Sequence, residues 1–246
     1  MKKTYLYNQN IEEYLIISDI HANWKVLKNL LKEIKNKKNI KKIIFLGDLI
    51  EKNNDSIKVL FKVKDIIEHP QKYGLEKAYL IIGNHEYRFM KYAFQTCVKK
   101  DTNNIWYQKS LETNNMELIK YFSNPKNHKE LFKILNFLSK QNLFIFINNK
   151  YLFTHAFAFP HIEFKKDDNN NIKIKIKNKK YFFTEKQVNE QKDKINNPYN
   201  IINIFGHINK GLIKEKDFIS IDFSSKEKRK IKKLKEENKD INFFIY

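Results

Sequence analysis

Seven side chains of types that bind metals or move protons share one setting in this sequence: Asp19, His21, Asp48, Asn84, His85, His155 and His207. Each follows a short apolar run, in YLIISDIH (14–21), KIIFLGDL (42–49), YLIIGNHE (79–86), YLFTHAF (151–157) and NIFGHIN (203–209). Asp19 and His21 are two apart, so in extended backbone their side chains point to the same side. Carboxylate oxygen together with imidazole nitrogen suits manganese, iron or zinc, whereas calcium takes oxygen ligands alone. Six ligands with one carboxylate shared suffice for two cations that keep open positions for water. Two cations roughly 3.5–4 Å apart clamp both the attacking and the leaving oxygen of a phosphoryl displacement. Of the seven histidines, four stand at the equivalent position of this repeated pattern. His69, His128 and His161 lack that context and read as ordinary hydrogen-bonded residues. A single Asp or Asn at such a place reads as a turn residue or helix cap, but five recurrences together make unrelated local roles a poor reading.

The runs that carry these residues are rich in Ile, Phe and Tyr and too short for helices, which predicts buried strands. Four of them place Ser or Gly immediately before the polar residue, and the fourth run places Thr154 there. A small residue lets the backbone turn sharply and lets another group approach. Between the runs, Trp24, Leu27, Leu30, Leu31 and Ile34 recur at helical spacing, as do Val59, Leu60, Val63, Ile66 and Ile67, and then Leu131, Ile134, Leu135 and Leu138. Alternating strands and helices predict an α/β layer fold, with ligands outside the carboxyl ends of the strands. All the polar clusters fall at those ends. Residues 89 to 141 hold no such motif and read as a helical insertion in a single domain spanning 1–246. The alternation of Ile with Lys in 165–183 predicts an exposed hairpin strand after an Asp-Asn turn. The charge run at 224–240 reads as a solvated segment before a last strand, INFFIY.

The formal net charge is +20, but of 48 basic residues only Arg88 and Arg229 are arginine. Abundant Lys, Asn and Ile is what an AT-rich coding sequence produces, so the lysine excess says little about nucleic acid. No sequence-specific nucleic-acid partner is expected, although attraction to anionic substrates remains a physical consequence. Hydrophobic residues make up 41% of the chain, enough for a sizeable core. No apolar run reaches the length of a membrane span, and the basic N-terminus lacks the apolar stretch of a signal peptide. Cys97 is the only cysteine, which rules out an intramolecular disulfide and fits a reducing cytoplasm.

The ordered set SDIHAN, GDLIEKN, GNHE, THA and GHIN, over about residues 14 to 223, resembles the signature blocks of the calcineurin-like metallophosphoesterases. The resemblance implies a four-layer α/β/β/α sandwich of two mixed sheets flanked by helices, with a dinuclear metal site at the strand C-terminal ends. It implies Asp19, His21 and Asp48 around one metal, and Asp48 as the bridge with Asn84, His155 and His207 around the second. It makes His85 the proton donor, and it places Glu51 where many members carry an Asp that orients that histidine. The details are most similar to the phosphoprotein phosphatases and their bacterial and phage relatives, which include the symmetrical diadenosine tetraphosphatases. GHIN lacks the second histidine that many phosphodiesterase members carry; Asn209 stands there, at best a weak ligand. Where the phosphatase branch reads GD-x-x-D-R-G, this chain has Lys52 in place of the clamping arginine, a point charge instead of a bidentate fork. Arg88 lies three residues past His85, on nearly the same face of a helix beginning there. It reads equally as a replacement clamp or as a helix-surface residue.

The resulting expectation is a metal-dependent phosphoesterase that uses metal-bound hydroxide as nucleophile, with manganese, iron or zinc in its site. Its substrate is a phosphoprotein, a nucleotide or a small phosphoester. A dinucleoside polyphosphate or small phosphodiester hydrolase is the first alternative. A catalytically lapsed basic binding module is the alternative of another class.

Overall fold

The computed structural model describes residues 1–7, 13–37, 39–178, 195, 197–208, 211–222, 232–234 and 242–245. Its strands fall where the apolar runs do. One sheet is built on β2 (Glu13–Ile17), β3 (Lys42–Phe45) and β4 (Lys77–Leu80), all parallel, with β13 (Asn242–Ile245) and β12 (Lys232–Leu234) continuing it beyond β2. The other has the order β1 (Lys2–Leu6), β5 (Asn142–Ile147), β6 (Tyr151–Phe153), β9 (Ile202–Phe205), β11 (Phe218–Asp222) and β10 (Gly211–Lys214), in which β6 and β9 are parallel neighbours. Both sheets mix parallel and antiparallel pairs. A parallel bridge between Ile81 and Asn142 joins them.

Side chains alternate across a strand, and the two hydrophobic clusters follow that period. Tyr14, Ile16 and Ile44 from the first sheet meet Ile145, Tyr151, Phe153 and Ile204 from the second in one buried cluster. The intervening Leu15, Ile17, Ile43 and Phe45 belong instead to the cluster that includes the helices. Each such side chain taken fully from water contributes roughly 1.5–3 kcal/mol. Helix α1 (Trp24–Asn36) starts at Asn23, whose side chain accepts the Val26 N–H at 3.1 Å, and it buries Leu27, Leu30 and Ile34. Helix α2 (Ser56–Glu68) buries Val59, Leu60, Val63 and Ile66.

The stretch between β4 and β5 is helical: α3 (Asn84–Ala93), a π-helical turn at Phe94–Val98, α4 (Ile105–Glu112), α5 (Glu117–Phe122) and α6 (His128–Ser139). It is tied to the rest of the molecule at a specific place. The Glu117 carboxylate of α5 accepts the backbone N–H groups of Ser56 (2.6 Å) and Ile57 (3.2 Å) at the start of α2. A carboxylate there satisfies otherwise unpaired donors and faces the positive end of the helix dipole. The single cysteine, Cys97, is buried in the π-helical turn, and burial pushes its thiol up to about 11.

The Ile/Lys alternation does form a hairpin strand. Strands β7 (Ile162–Lys166) and β8 (Ile172–Ile176) pair antiparallel around a turn in which Asp167 accepts the backbone N–H groups of Asn169 and Asn171. It is half-buried, where an exposed strand was expected. Ile172 and Ile174 are buried, and the Ile174 N–H donates to the hydroxyl of Tyr5 at 3.0 Å. The tyrosine of a neighbouring sheet edge gives the apolar face of the hairpin something to cover. Most of the 224–240 charge run, and Asn209, lie outside the described residues.

Candidate metal centre and active site

The parallel strands β2, β3 and β4 of the first sheet and the parallel neighbours β6 and β9 of the second are each followed by a loop, and these loops bring all seven expected residues to one place. The loops are stitched to each other. His21 N–H donates to the Asp48 carbonyl at 2.8 Å, Gly206 N–H to the His155 carbonyl at 2.9 Å, and His207 N–H to Asp19 Oδ2 at 3.1 Å. Several of these residues hold left-handed backbone: His21 (φ 46°), Asp48 (51°), Glu51 (66°), Lys52 (65°) and His207 (71°). Such conformations cost on the order of 1–3 kcal/mol each for a non-glycine residue and concentrate where function fixes a side chain.

The small residues have a definite use. A Cβ on Gly83 would stand 2.3 Å from Asp48 Oδ1, and a Cβ on Gly206 would stand 2.3 Å from Asp19 Oδ2. These glycines admit the neighbouring carboxylates as well as letting the chain turn.

Asp48 is the centre of the arrangement. Its Oδ1 lies 3.3 Å from His155 Nε2, and its Oδ2 lies 3.8 Å from His21 Nε2 and 3.6 Å from His85 Nε2. Asp19 Oδ1 lies 3.7 Å from His21 Nε2. On the other side, His155 Nε2 is 3.0 Å from the Asn84 amide oxygen and 3.1 Å from His207 Nδ1. Among the described residues, two triads converge closely enough to hold an ion: His21, Asp48 and His85, and Asp48, His155 and His207. Asp48 belongs to both.

The donor set fits cations. His155 Nδ1 lies 2.8 Å from the Leu46 carbonyl, so that nitrogen carries a proton, and in the neutral form of the ring Nε2 presents its lone pair to Asp48. A backbone carbonyl on the far nitrogen is how a metal-ligating histidine is fixed in its tautomer. Lone pairs of imidazole and carboxylate are thereby aimed at each other, an arrangement that a proton or a cation between them stabilises. Burial raises the Asp48 carboxyl well above the ordinary carboxylate range, and the neighbouring Asp19 and Glu86 carboxylates add to it. Burial likewise holds the His21 imidazole well below its usual value, helped by the Lys52 ammonium and by His85 and His155. A bound divalent ion inverts that local logic by favouring ionised carboxylate and neutral imidazole. A positive charge already stands at the edge of the cluster, with Lys52 Nζ 2.6 Å from His21 Nε2. Lys52 thus faces an expected ligand histidine as well as lining the cleft.

Beside this cluster lies a second one. His85 Nδ1 is 2.5 Å from Glu51 Oε2, while its Nε2 faces the cluster. Arg88, one turn along α3, places Nη2 3.4 Å from the same Glu51 oxygen, and the indole Nε1–H of Trp106 donates to Oε1 at 2.6 Å. Burial pushes Glu51 up, but the hydrogen bond and charge of His85, with Arg88 and Trp106, outweigh it and hold the carboxyl below its ordinary value. The two clusters open into one cleft of about 410 Å³, which Lys109 of α4 and Thr113 just past its end also line. Trp106 and Lys109 were not anticipated from the sequence.

Glu86 serves the backbone. Fully buried, it accepts N–H groups from Asp48 (2.8 Å), Leu49 (2.8 Å), Ile50 (3.3 Å) and Gly83 (3.0 Å). One carboxylate therefore locks the loop after β3 to the start of α3. Glu86→Gln replaces one acceptor oxygen with a donor NH2 facing N–H groups. The expected result is a loss of about 2–4 kcal/mol in urea unfolding together with weakened metal binding. An unchanged midpoint and unchanged affinity would show that the loop is held by other contacts.

The family model described as "Calcineurin-like phosphoesterase" matches residues 13–211. No curated protein sequence matches. Among solved structures, that of a candidate diadenosine tetraphosphatase is 18% identical, with a TM-score of 0.49, over 91% of this chain and 87% of its own. A cold-active protein-tyrosine phosphatase of a Shewanella species is 16% identical, with a TM-score of 0.43, over 90% and 74%. A protein serine/threonine phosphatase from Saccharomyces cerevisiae, with similarity to human phosphatase PP5, is 15% identical, with a TM-score of 0.45, over 86% and 70%. All three are distant likenesses.

Proposed function

We propose that this chain, which belongs to the calcineurin-like phosphoesterase family, divides its site into a metal half centred on Asp48 and a proton-donating half centred on His85. Membership makes it a metal-dependent hydrolase of phosphate esters, in a family that generally uses two divalent cations. The sharing of one buried carboxylate by two converging triads carries the metal half; His85 stands in one of those triads, and its Nδ1 contact with Glu51 at 2.5 Å is what assigns it to the proton-donating half.

In this reading Asp19, His21 and Asp48 hold one cation, and Asp48, Asn84, His155 and His207 hold the other. Carboxylate, amide and imidazole ligands suit manganese first, with iron and zinc as the other choices. When bound, the pair supplies water activated near neutral pH and charge neutralisation at the phosphoryl oxygens. The remaining steps belong to side chains. Glu51 accepts the Nδ1–H of His85 and orients the ring, leaving Nε2–H to protonate the departing alkoxide. Arg88 reaches the same Glu51 oxygen as His85 and lines the cleft, so it binds the phosphoryl group together with Lys52. Lys109 adds a further lysine to the lining of the cleft, which favours substrates bearing a further phosphate as a second reading. No sequence-specific nucleic-acid partner is proposed, since lysine enrichment is general in this chain. No helix of the described residues is long and apolar enough to cross a membrane. A cytoplasmic setting, suggested by the lone cysteine, belongs to the same proposal.

The test is a screen of the manganese-reconstituted protein against phosphomonoesters, phosphodiesters, phosphopeptides and dinucleoside polyphosphates. Turnover of monoesters or phosphopeptides is expected. Turnover confined to dinucleoside polyphosphates would select the second reading, and turnover confined to diesters would overturn both.

A further inference from the structure

The helical insertion contributes a residue to the proton-donating half of the site. Glu51 is buried and has two oxygens to satisfy. His85 and Arg88 both bond to Oε2, and Trp106 donates to Oε1. A carboxylate held at one oxygen only can rotate about its last bond; one held at both cannot. The indole is itself fixed three ways. Its ring meets Phe89 of α3 edge to face, with centroids 5.4 Å apart. The N-cap of its helix is Asn104, which accepts the Tyr107 N–H at 3.0 Å and donates to Thr96 in the π-helical turn at 2.8 Å. Its carbonyl accepts the Ser110 hydroxyl at 2.8 Å. Trp106 is 1% exposed, so the bond to Glu51 is shielded from competing water.

We infer that Trp106 is a positioning residue for the leaving-group proton. It fixes the plane of the Glu51 carboxylate, and that plane fixes the tautomer and direction of His85. The inference rests on the reading of His85 as proton donor. It gives the insertion a role in catalysis: α4 carries the tryptophan that aligns the dyad and the lysine that lines the cleft.

Trp106→Phe keeps an aromatic ring beside Phe89, removes the N–H donor and leaves a small cavity. Expected is a loss of about tenfold in kcat on alkyl phosphates, a much smaller loss on nitrophenyl phosphate, and unchanged metal content. In a His85→Asn background the same substitution should cost nothing further, because the two act through one proton. A measurement on the native tryptophan accompanies this, in case Trp106→Phe folds poorly. The chain has two tryptophans, so the Trp106 indole N–H resonance is readily assigned. It should lie downfield, exchange slowly, and move upfield in Glu51→Gln.

If His85→Asn is selective for alkyl substrates while Trp106→Phe loses equally on both or adds fully, Trp106 is only a packing residue and the inference fails alone. If neither variant discriminates between leaving groups, the proton-donor reading fails and takes the inference with it. An indole resonance indifferent to Glu51→Gln would overturn the inference whatever the kinetics.

Discussion

Asp48→Ala is expected to lose both divalent ions and, with them, at least about 10³-fold in hydrolytic rate. The carboxylate of Asp48 is the one group common to the two triads, lying 3.3 Å from His155 Nε2 and 3.8 Å from His21 Nε2. Alanine removes a ligand from each half and also removes the negative charge that holds two cations near each other. Charge stabilisation by bound metal is worth several kcal/mol at the transition state, and each 1.36 kcal/mol is tenfold in rate. His155→Ala is the control for locality, since it takes one ligand from one half and should empty mainly that half. Metal analysis of desalted protein, with rates at saturating manganese, checks both. Full occupancy in Asp48→Ala would remove the bridge from the account.

His85→Asn should leave metal content intact while cutting the rate on the order of 10²–10⁴-fold on alkyl phosphates and far less on nitrophenyl phosphate. Geometry alone admits two roles for this histidine. A carboxylate on Nδ1 orients a proton donor, and it equally orients a metal ligand, and His85 Nε2 is 3.6 Å from Asp48 Oδ2. The leaving group separates them. An alkoxide is strongly basic and needs the proton, whereas nitrophenolate departs without it. Glu51→Gln should show the same selectivity more weakly, because it only orients the ring. Loss of metal from His85→Asn would make it a ligand. Equal losses on the two substrates with metal retained would make it a phosphate-positioning group.

The strand ends were legible in the sequence because each is a local pattern: an apolar run, a small residue, then a polar one. Their convergence followed from an α/β rule about strand ends, and the parallel arrangement of β2, β3 and β4, and of β6 beside β9, bears it out. Glu86 accepts from backbone groups 36 to 38 residues earlier in the loop after β3, which no local pattern announces. The Glu51–His85 contact was reached only through family resemblance, since nothing in the spacing of two residues 34 apart announces it. Trp106 was missed for the same reason, being 55 residues from its partner and inside the stretch read only as a helical insertion. One signal was present. In a chain whose composition favours Lys, Asn and Ile, a tryptophan is as rare as an arginine, and Arg88 and Trp106 both meet at Glu51. The hairpin at β7 and β8 was read as exposed because period-two alternation does not say what covers the apolar face.

The central claim is that one carboxylate joins two metals. Electron paramagnetic resonance during a manganese titration of the wild-type protein addresses it directly. Two equivalents bound through a shared Asp48 should give an exchange-coupled spectrum, replaced in Asp48→Ala by loss of bound signal. Saturation at one equivalent, or two equivalents with uncoupled six-line spectra, would contradict the account.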